Sequence, residues 1–295
     1  LSGMRNAYFN GENAMAWVRI NSTLTQNSII STLIAYDLQA GTYVAAAKDN
    51  PDYLNSWTDQ LAKLLKPLIL PGDRILEVGV GEATTLAGVI NKIECPDLFA
   101  YGFDLSWSRI CEGIKWSKLE AVHPTLFVAD LFNIPMRDNS MDIVYTSHSL
   151  EPNGGREKDA LVELLRVARK AVVLVEPVYE LASTDAQQRM IEHGYVRGLK
   201  VTAESLGARV ADYRLLPICS NPLNLSAVTL LLKQDFAARE SDNVWQCPLT
   251  GAPLADKNNY YFADQVGIAY PILKGVPMLR AEHAIVASKL ATDVI

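Results

Sequence analysis

The sequence lacks the patterns that mark disulfide-rich, zinc-binding and membrane-spanning proteins. Its four cysteines lie far apart and form no Cys-x-x-Cys pair, which excludes the usual disulfide framework and metal knuckle. No apolar run approaches the roughly 18 residues that a membrane helix needs. The N-terminus also has no basic segment followed by an apolar one. We therefore expect a cytoplasmic protein with reduced thiols and no membrane partner.

Blocks of basic residues are also missing from the chain. The net charge is −6, from 27 basic and 33 acidic residues, which gives little support to a nucleic-acid-binding surface. We therefore rank polynucleotide partners below small molecules. Hydrophobic residues make up 49% of the 295 residues, which is enough for the core of one large domain with a smaller appendage.

Short, mostly apolar runs with a polar or acidic residue at or near their end predict buried parallel strands. These runs are RILEV (74–78), LFAYGFD (98–104), TLFVAD (125–130), MDIVYT (141–146) and AVVLVE (171–176). Segments with a helical period lie between them, and we expect Thr84 or Thr85, and Ser106, to cap two of these helices. The alternation predicts an α/β fold with a Rossmann-like doubly wound sheet.

Composition divides the chain into three parts. Residues 1–70 carry no clear strand, and their helical runs predict an N-terminal lid. Residues 71–238 hold the doubly wound part, which is mostly parallel but ends in an antiparallel hairpin of RVADYRLL and SAVTLLLK. Residues 239–295 are rich in Gly and Pro and contain short strand candidates, which predicts a small β-rich appendage.

The turn after the first strand is where we expect a ligand, because ligands of open parallel sheets lie at the carboxyl ends of the strands. Gly79 and Gly81 can adopt positive φ and let a ligand approach the backbone. A dinucleotide site is a rival interpretation, since these glycines and Asp104 partly match Gly-x-Gly-x-x-Gly with its distant acid. Against it, Thr84 replaces the third glycine, and the charge of Glu77 suits a cationic or amino-bearing ligand better than pyrophosphate.

The pattern Glu77-x-Gly79-x-Gly81 is followed by acids at the ends of the next two strands, Asp104 and Asp130. Together these residues resemble the class I S-adenosylmethionine-dependent methyltransferases. The resemblance implies S-adenosylmethionine as cofactor, with the glycine turn along its methionine part. It also implies that the second-strand acid holds the ribose hydroxyls and that the third-strand acid reaches the adenine amino group.

This resemblance covers roughly residues 70–235. By position it makes Leu105 and Leu131 the apolar neighbours of the adenine, and it places Ala83 where many members have a third glycine. Taken singly, strand-end acids also fit a second interpretation, in which they cap the helix that follows. Three acids at three successive strand ends argue against that second interpretation.

The segment 146–177 resembles the fourth strand, helix and fifth strand of small-molecule methyltransferases, so the loop 147–155 should lie beside the transferred methyl group. Ser147 is then expected to contact the cofactor. His148, with an ordinary pKa of about 6.5, can act as the base for a hydroxyl acceptor. Glu151 would orient His148 or bind the acceptor. A structural role for His148, in contact with the cofactor or the loop, stays open.

The tail from 247 to 279 resembles the zinc-ribbon-like domain that accompanies several tRNA and protein methyltransferases. Zinc would need four ligands, usually from two Cys-x-x-Cys knuckles. Only Cys247 is present, with Thr250 at the second position, so we expect no metal site. Docking to the main domain, self-association as a homodimer and presentation of a substrate all remain open for this tail.

These features predict an enzyme that transfers a methyl group from S-adenosylmethionine to a hydroxyl or amine of a small-molecule or glycan-like acceptor. In the lid, Tyr36 or Tyr43 is expected to close over the site. One alternative is a non-catalytic scaffold that keeps the fold and acts through its tail. Another is a methyltransferase of RNA or protein. A nucleotide-dependent oxidoreductase is disfavoured by Glu77 and Thr84.

Overall fold

The computed structural model describes residues 2–12, 17–18, 20–21, 28–233 and 241–290. Helices and strands alternate through its middle part, as the hydrophobic pattern predicts. The described helices of seven residues or more are α1 Ser2–Phe9, α2 Ile29–Leu38, α3 Thr42–Asp49, α4 Pro51–Leu65, α5 Thr84–Ile93, α6 Trp107–Leu119, α7 Glu157–Val167, α8 Thr184–His193 and α9 Leu199–Ser205.

Seven strands form the main sheet in the order β3-β2-β1-β4-β5-β7-β6. Their bounds are β1 Arg74–Val78, β2 Phe99–Asp104, β3 Thr125–Val128, β4 Met141–Ser147, β5 Ala168–Pro177, β6 Arg209–Leu215 and β7 Ser226–Leu232. β1 to β5 pair in parallel, whereas β7 runs antiparallel to both β5 and β6. The predicted doubly wound sheet with a closing antiparallel hairpin is therefore confirmed.

Side-chain capping accounts for the starts of four described helices, α2, α4, α6 and α8. Ser106 caps α6 by accepting the backbone N–H of Arg109, as expected. The predicted caps Thr84 and Thr85 are wrong, because α5 begins after Ala83, which has a left-handed φ of 54° and no capping side chain. The sequence STLIAYDLQAGTYVAAA (31–47) has a continuous helical pattern but forms parts of two helices, because Gly41 adopts φ 96° between α2 and α3.

The main sheet is covered on both faces, and alternate residues of a strand enter different cores. Ile75 and Tyr145 belong to the core that contains Leu61 of α4 and Leu86 of α5. On the opposite face, Leu76 belongs to the core that holds residues of α7, α9 and the C-terminal segment. Helix α4 therefore packs on one face of the sheet, and most buried residues of the C-terminal segment pack on the other, although Val276 reaches the core that contains α4.

The C-terminal segment forms a small antiparallel sheet in the order β11-β10-β9-β8, with β12 paired to β10. Its strands are β8 Ala255–Asp256, β9 Tyr260–Ala263, β10 Ile268–Leu273, β11 Val276–Pro277 and β12 Ile285–Val286. We call residues 241–290 the ribbon. The predicted β-rich appendage is present, while the predicted boundary at 238/239 lies outside the described residues.

The ribbon docks on the open edge of the main sheet beside β3. The backbone N–H of Leu279 donates to the carbonyl of Val128 at 2.8 Å, which satisfies part of an edge that would otherwise be exposed. The Trp245 ring contacts the ring of Phe127, with a centroid separation of 5.0 Å, and that of Tyr261 at 5.4 Å. Of the roles left open for the tail, docking to the main sheet is the one observed within the chain.

The four cysteines are all free. Cys247 is buried in the ribbon, where its Sγ lies 3.3 Å from the Tyr270 hydroxyl. Across the part of the chain that the structure describes, no cluster of three or more His, Cys, Asp or Glu could hold a metal ion. Within the same residues, no helix combines the length and the apolar character needed to cross a membrane.

Trp245→Ala should lower the free energy of unfolding by about 2 to 3 kcal/mol, somewhat less than the loss of a fully buried tryptophan. Leu249→Ala in the same ribbon is the matched control, because Leu249 is 54% exposed and should change stability by less than about 0.5 kcal/mol. Urea denaturation measures both changes. Equal stability of the two variants would show that Trp245 does not attach the ribbon.

Candidate active site

The glycine turn between β1 and α5 holds three alternate residues in the left-handed region. Gly79 has φ 68°, Gly81 φ 56° and Ala83 φ 54°, which is uncommon for a residue with a Cβ. A Cβ at Gly81 would lie 2.6 Å from Nη2 of Arg109. The backbone conformation therefore favours glycine at position 81, and a side chain there would displace the guanidinium of Arg109.

The strand-end acids are fixed by backbone donors. Asp104 Oδ2 accepts from Gly81 N at 3.1 Å and Oδ1 accepts from Ser106 N at 2.9 Å. Asp130 Oδ1 accepts from Phe132 N at 2.9 Å, and burial raises the pKa of this carboxyl. Because each carboxylate has about four acceptor positions, both acids keep capacity for a ligand after these bonds.

The environment of Glu77 differs from the expectation that this residue brings a negative charge to the glycine turn. Its side chain is 2% exposed, and the Tyr145 hydroxyl donates to its Oε2 at 2.7 Å. Burial raises the pKa of Glu77 to about 8, so the neutral acid predominates at pH 7. Glu77 does border the predicted site, but it does not bring a full negative charge there to repel pyrophosphate or attract a cation.

One pocket at the carboxyl edge of the sheet collects the residues predicted to bind the cofactor. It encloses about 950 Å³, including space open to solvent. The sequence-predicted residues that line it are Glu77, Gly79, Gly81, Asp104, Leu105, Asp130, Leu131, Ser147 and His148. Glu151 lies outside this pocket and lines a second one beside it. The structure thus brings the predicted cofactor residues together.

Arg109 is a buried cation in this pocket that the sequence analysis missed. It is 5% exposed, and its Cζ lies 4.5 Å from the ring centroid of Tyr43 and 5.3 Å from that of Tyr36. Its nearest carboxylate oxygens, on Glu82 and Asp104, are 3.8 and 3.9 Å away. Within the described residues its Nε has no hydrogen-bond partner. The guanidinium of Arg109 therefore has hydrogen-bond donors available beside the glycine turn.

The N-terminal helices are attached to the glycine turn through Glu82. This side chain is 1% exposed and accepts from the backbone N–H of Gly41 at 3.0 Å and of Val44 at 2.7 Å. A carboxylate at the start of α3 is also favoured by the helix dipole. As a result Tyr36 and Tyr43 both line the pocket, where the sequence predicted that one of them would.

The loop after β4 is held by another buried carboxylate, that of Glu176 at the end of β5. Its Oε1 accepts from the N–H groups of Ser149 and Leu150, and its Oε2 from that of Glu151. Burial raises the pKa of Glu176 to about 7. This clamp stabilises a sharp bend in which His148 has φ 55°, a conformation that is uncommon for residues other than glycine.

Both ring nitrogens of His148 are engaged. Its Nδ1 lies 2.9 Å from Glu151 Oε2, and its Nε2 lies 2.6 Å from the hydroxyl of Ser226 on β7. Because a carboxylate only accepts, Nδ1 carries the hydrogen, and neutral Nε2 then accepts from Ser226. Burial lowers the pKa of His148, but the hydrogen bond and charge of Glu151, aided by Glu176, outweigh it and leave this pKa raised.

The second pocket, which we call the chamber, adjoins the first through His148. It is lined by residues of α3, α4, the β4–α7 loop and the segment before β7. The Trp57 ring lies 5.7 Å from the His148 ring and is nearly parallel to that of Tyr53, with a centroid separation of 6.5 Å. His148 thus stands between the pocket lined by the predicted cofactor residues and an aromatic and polar space.

No protein-family model matches this chain, and no curated protein matches it in sequence. Solved structures do share its fold. Magnesium protoporphyrin IX methyltransferase (ChlM) from Synechocystis PCC 6803, with bound S-adenosylhomocysteine, is 15% identical, with a TM-score of 0.51 over 78% of this chain and 98% of that chain.

Two further structures are comparably similar. A chain from the complex of the Haloferax volcanii Trm112 methyltransferase activator with a candidate methyltransferase has a TM-score of 0.52 and 13% identity, over 67% of this chain and 96% of that chain. A candidate sarcosine dimethylglycine methyltransferase from Galdieria sulphuraria has a TM-score of 0.50 and 12% identity, over 61% of this chain and 85% of that chain. At these identities the likeness establishes the fold, that of the class I methyltransferases.

Glu151→Gln should lower the pKa of the His148 imidazole, because the negative charge that raises it is removed while burial, which lowers it, remains. NMR titration of the ring signals, assigned with a His148→Asn variant, measures the change. Glu204→Gln, at an exposed position of α9, is the matched control. An unchanged pKa in Glu151→Gln would show that Glu151 does not act on the ring.

Proposed function

We propose that this protein transfers a methyl group from S-adenosylmethionine to a hydroxyl or amine of a small-molecule or glycan-like acceptor. The observation that carries the proposal is the convergence of the glycine turn, Asp104 and Asp130 on one pocket at the carboxyl edge of a methyltransferase-like sheet. The chemistry of the pocket fits the cofactor, since its acids keep acceptor capacity for hydroxyls and an amine.

Each part of the cofactor has a chemical counterpart among these residues. Asp104 would accept from the ribose hydroxyls, and Asp130 from the adenine amino group, with Leu105 and Leu131 as apolar neighbours of the ring. The spare donors of Arg109 suit the carboxylate of the methionine part. When bound, the sulfonium supplies an electrophilic methyl group, and the protein contributes alignment for an in-line displacement.

His148 is the proposed base on the acceptor side, and Glu151 the residue that orients it. Contact of Nδ1 with Glu151 fixes the tautomer and stabilises the imidazolium that forms when a proton arrives. Because the pKa of His148 is raised, a larger fraction of the protein molecules has a protonated ring at neutral pH. In those molecules His148 must lose this proton before it can act as a base. Methyl transfer by this route should therefore become faster as the pH rises through that pKa.

We also propose that the chain has three parts: a lid over 1–70, a cofactor domain over 71–238 and a small metal-free C-terminal domain over 239–295, which contains the ribbon. The bonds from Glu82 to the lid and from Val128 to the ribbon support one functional unit. The intact pair of acids, Asp104 and Asp130, favours an enzyme over a scaffold that keeps only the fold.

Asp104→Ala should weaken S-adenosylmethionine binding about 5- to 150-fold, which corresponds to the 1 to 3 kcal/mol of charge-assisted hydrogen bonds. Calorimetric titration measures the affinity, with NAD and NADP titrated in parallel and Asp212→Ala on β6 as the matched control. Binding of NAD in place of S-adenosylmethionine would support the oxidoreductase alternative. A protein that binds none of these ligands would support the scaffold.

Arg109→Met should weaken S-adenosylhomocysteine about 10-fold or more, through the lost carboxylate contact. The same variant should change the affinity for 5′-methylthioadenosine, which lacks the amino-acid part, by less than about 3-fold. Arg214→Met, at a half-exposed arginine of β6, is the matched control. Equal weakening of both ligands by Arg109→Met would instead assign Arg109 to the support of the glycine turn.

A further inference from the structure

The chamber shares its boundary with the cofactor pocket. Tyr43, Thr84, Thr85, Ser147 and His148 line both spaces. A group that lies in the chamber can therefore reach a group held in the pocket only past these side chains. This arrangement makes the chamber the place where an acceptor meets the methyl donor, an inference that rests on the proposed function.

The charges of the chamber disfavour an anionic acceptor. Among the described residues that line it, none is Lys or Arg, and the acid present is Glu151. That carboxylate already contacts His148 and accepts from the side chain of Asn224 at 3.3 Å. A carboxylate or phosphate on the acceptor would therefore meet no Lys or Arg in this lining, and the one lining group that can become a cation, His148, already faces the carboxylate of Glu151, so the anion would be costly in a partly buried site.

Neutral hydrogen-bonding groups dominate the rest of the lining. Asn50 uses its Oδ1 to cap α4 through Tyr53 N, and Asn221 uses its Oδ1 to accept from Leu223 N. Within the described part of the chain the amide NH₂ group of neither residue has a hydrogen-bond partner, so both can donate to hydroxyl oxygens. Together with the rings of Tyr53 and Trp57, these amides suit a ring that carries several hydroxyls and has an apolar face.

The position of Ser226 determines where the proton of such a hydroxyl can go. The Nε2 of His148, the nitrogen that can accept a proton, already takes a hydrogen bond from Ser226 at 2.6 Å. Its Nδ1 faces Glu151. Ser226 itself lines the chamber although it is 1% exposed. An acceptor hydroxyl in the chamber can therefore reach Nε2 only by displacing Ser226 Oγ or by acting through it.

We propose that the chamber binds a neutral polyhydroxylated ring as acceptor and that Ser226 relays the proton of its methylated hydroxyl to His148. The acceptor oxygen forms the new bond to the methyl carbon as the bond from that carbon to sulfur breaks, and the electron pair of the broken bond stays on sulfur. The acceptor proton passes to Ser226 Oγ while the proton of Ser226 passes to Nε2 of His148. Glu151 then faces an imidazolium, which later releases the proton to water.

Saturation-transfer NMR on protein loaded with S-adenosylhomocysteine tests the acceptor class. The probes are methyl β-D-glucopyranoside, methyl α-D-mannopyranoside and myo-inositol, compared with catechol and benzoate. We expect saturation transfer from the protein to at least one neutral polyol and none to benzoate. Asn50→Asp and Asn221→Asp keep the Oδ1 contacts to the backbone but remove the donors, and should reduce the polyol signal at least 5-fold. Asn258→Asp in the ribbon adds the same charge elsewhere and should leave the signal unchanged.

Transfer of labelled methyl groups from S-adenosylmethionine to the bound polyol tests the relay. Ser226→Ala should lower turnover about 10²-fold or more, with the affinity for the polyol changed less than about 3-fold. Ser226→Thr restores the hydroxyl and should recover turnover to within about 10-fold of the native protein. The double variant Ser226→Ala/His148→Ala should be no slower than His148→Ala, since the two groups act as a unit.

Three results of these experiments would each contradict a different part of the proposal. Normal S-adenosylmethionine binding with catechol methylated and no polyol bound would overturn the acceptor class. Loss of turnover in His148→Ala but not in Ser226→Ala would mean that His148 takes the proton directly. Failure of the protein to bind S-adenosylmethionine at all would remove the proposed function, so that outcome is distinct from failure of the relay.

Discussion

The turn from Gly79 to Ala83 is the constraint on which the rest of the site depends. Its three left-handed residues turn one backbone N–H, that of Gly81, towards Asp104 and place Glu82 under the N-terminal helices. Arg109 can approach the same turn because Gly81 has no side chain. The pocket at the carboxyl edge, the N-terminal helices and the buried cation are thus positioned by one short segment.

Elements that depend on local pattern could be predicted from the sequence. The strand that ends in Asp104 and the run 226–233 follow from apolar residues, because a buried strand needs a continuous apolar sequence. The hairpin partner 209–216 is a weaker signal, since it carries two arginines and an aspartate and forms a largely exposed edge strand. The convergence of Asp104 and Asp130 follows from the geometry of parallel sheets. The left-handed start of α5 was missed, because Ala83 gives no sign of positive φ.

The residues that the sequence did not reveal act through distant contacts. Ser226 meets His148 only because β7 returns beside β5, and Glu82 meets Gly41 only because the N-terminal helices fold back onto the glycine turn. Arg109 carried a weak signal, a cation near the start of a helix that follows a strand-end acid. The charge state of Glu77 was misjudged because it depends on burial and on Tyr145, which lies on another strand.

Docking of the ribbon constrains the order in which the parts of the molecule can fold. Val128 lies near the middle of the chain, but the backbone group that pairs with it belongs to Leu279. During synthesis the edge of β3 and the following loop with Asp130 must remain without their cover until the ribbon has left the ribosome. Contacts between such distant segments form slowly, so we expect the part of the pocket that contains Asp130 to form last.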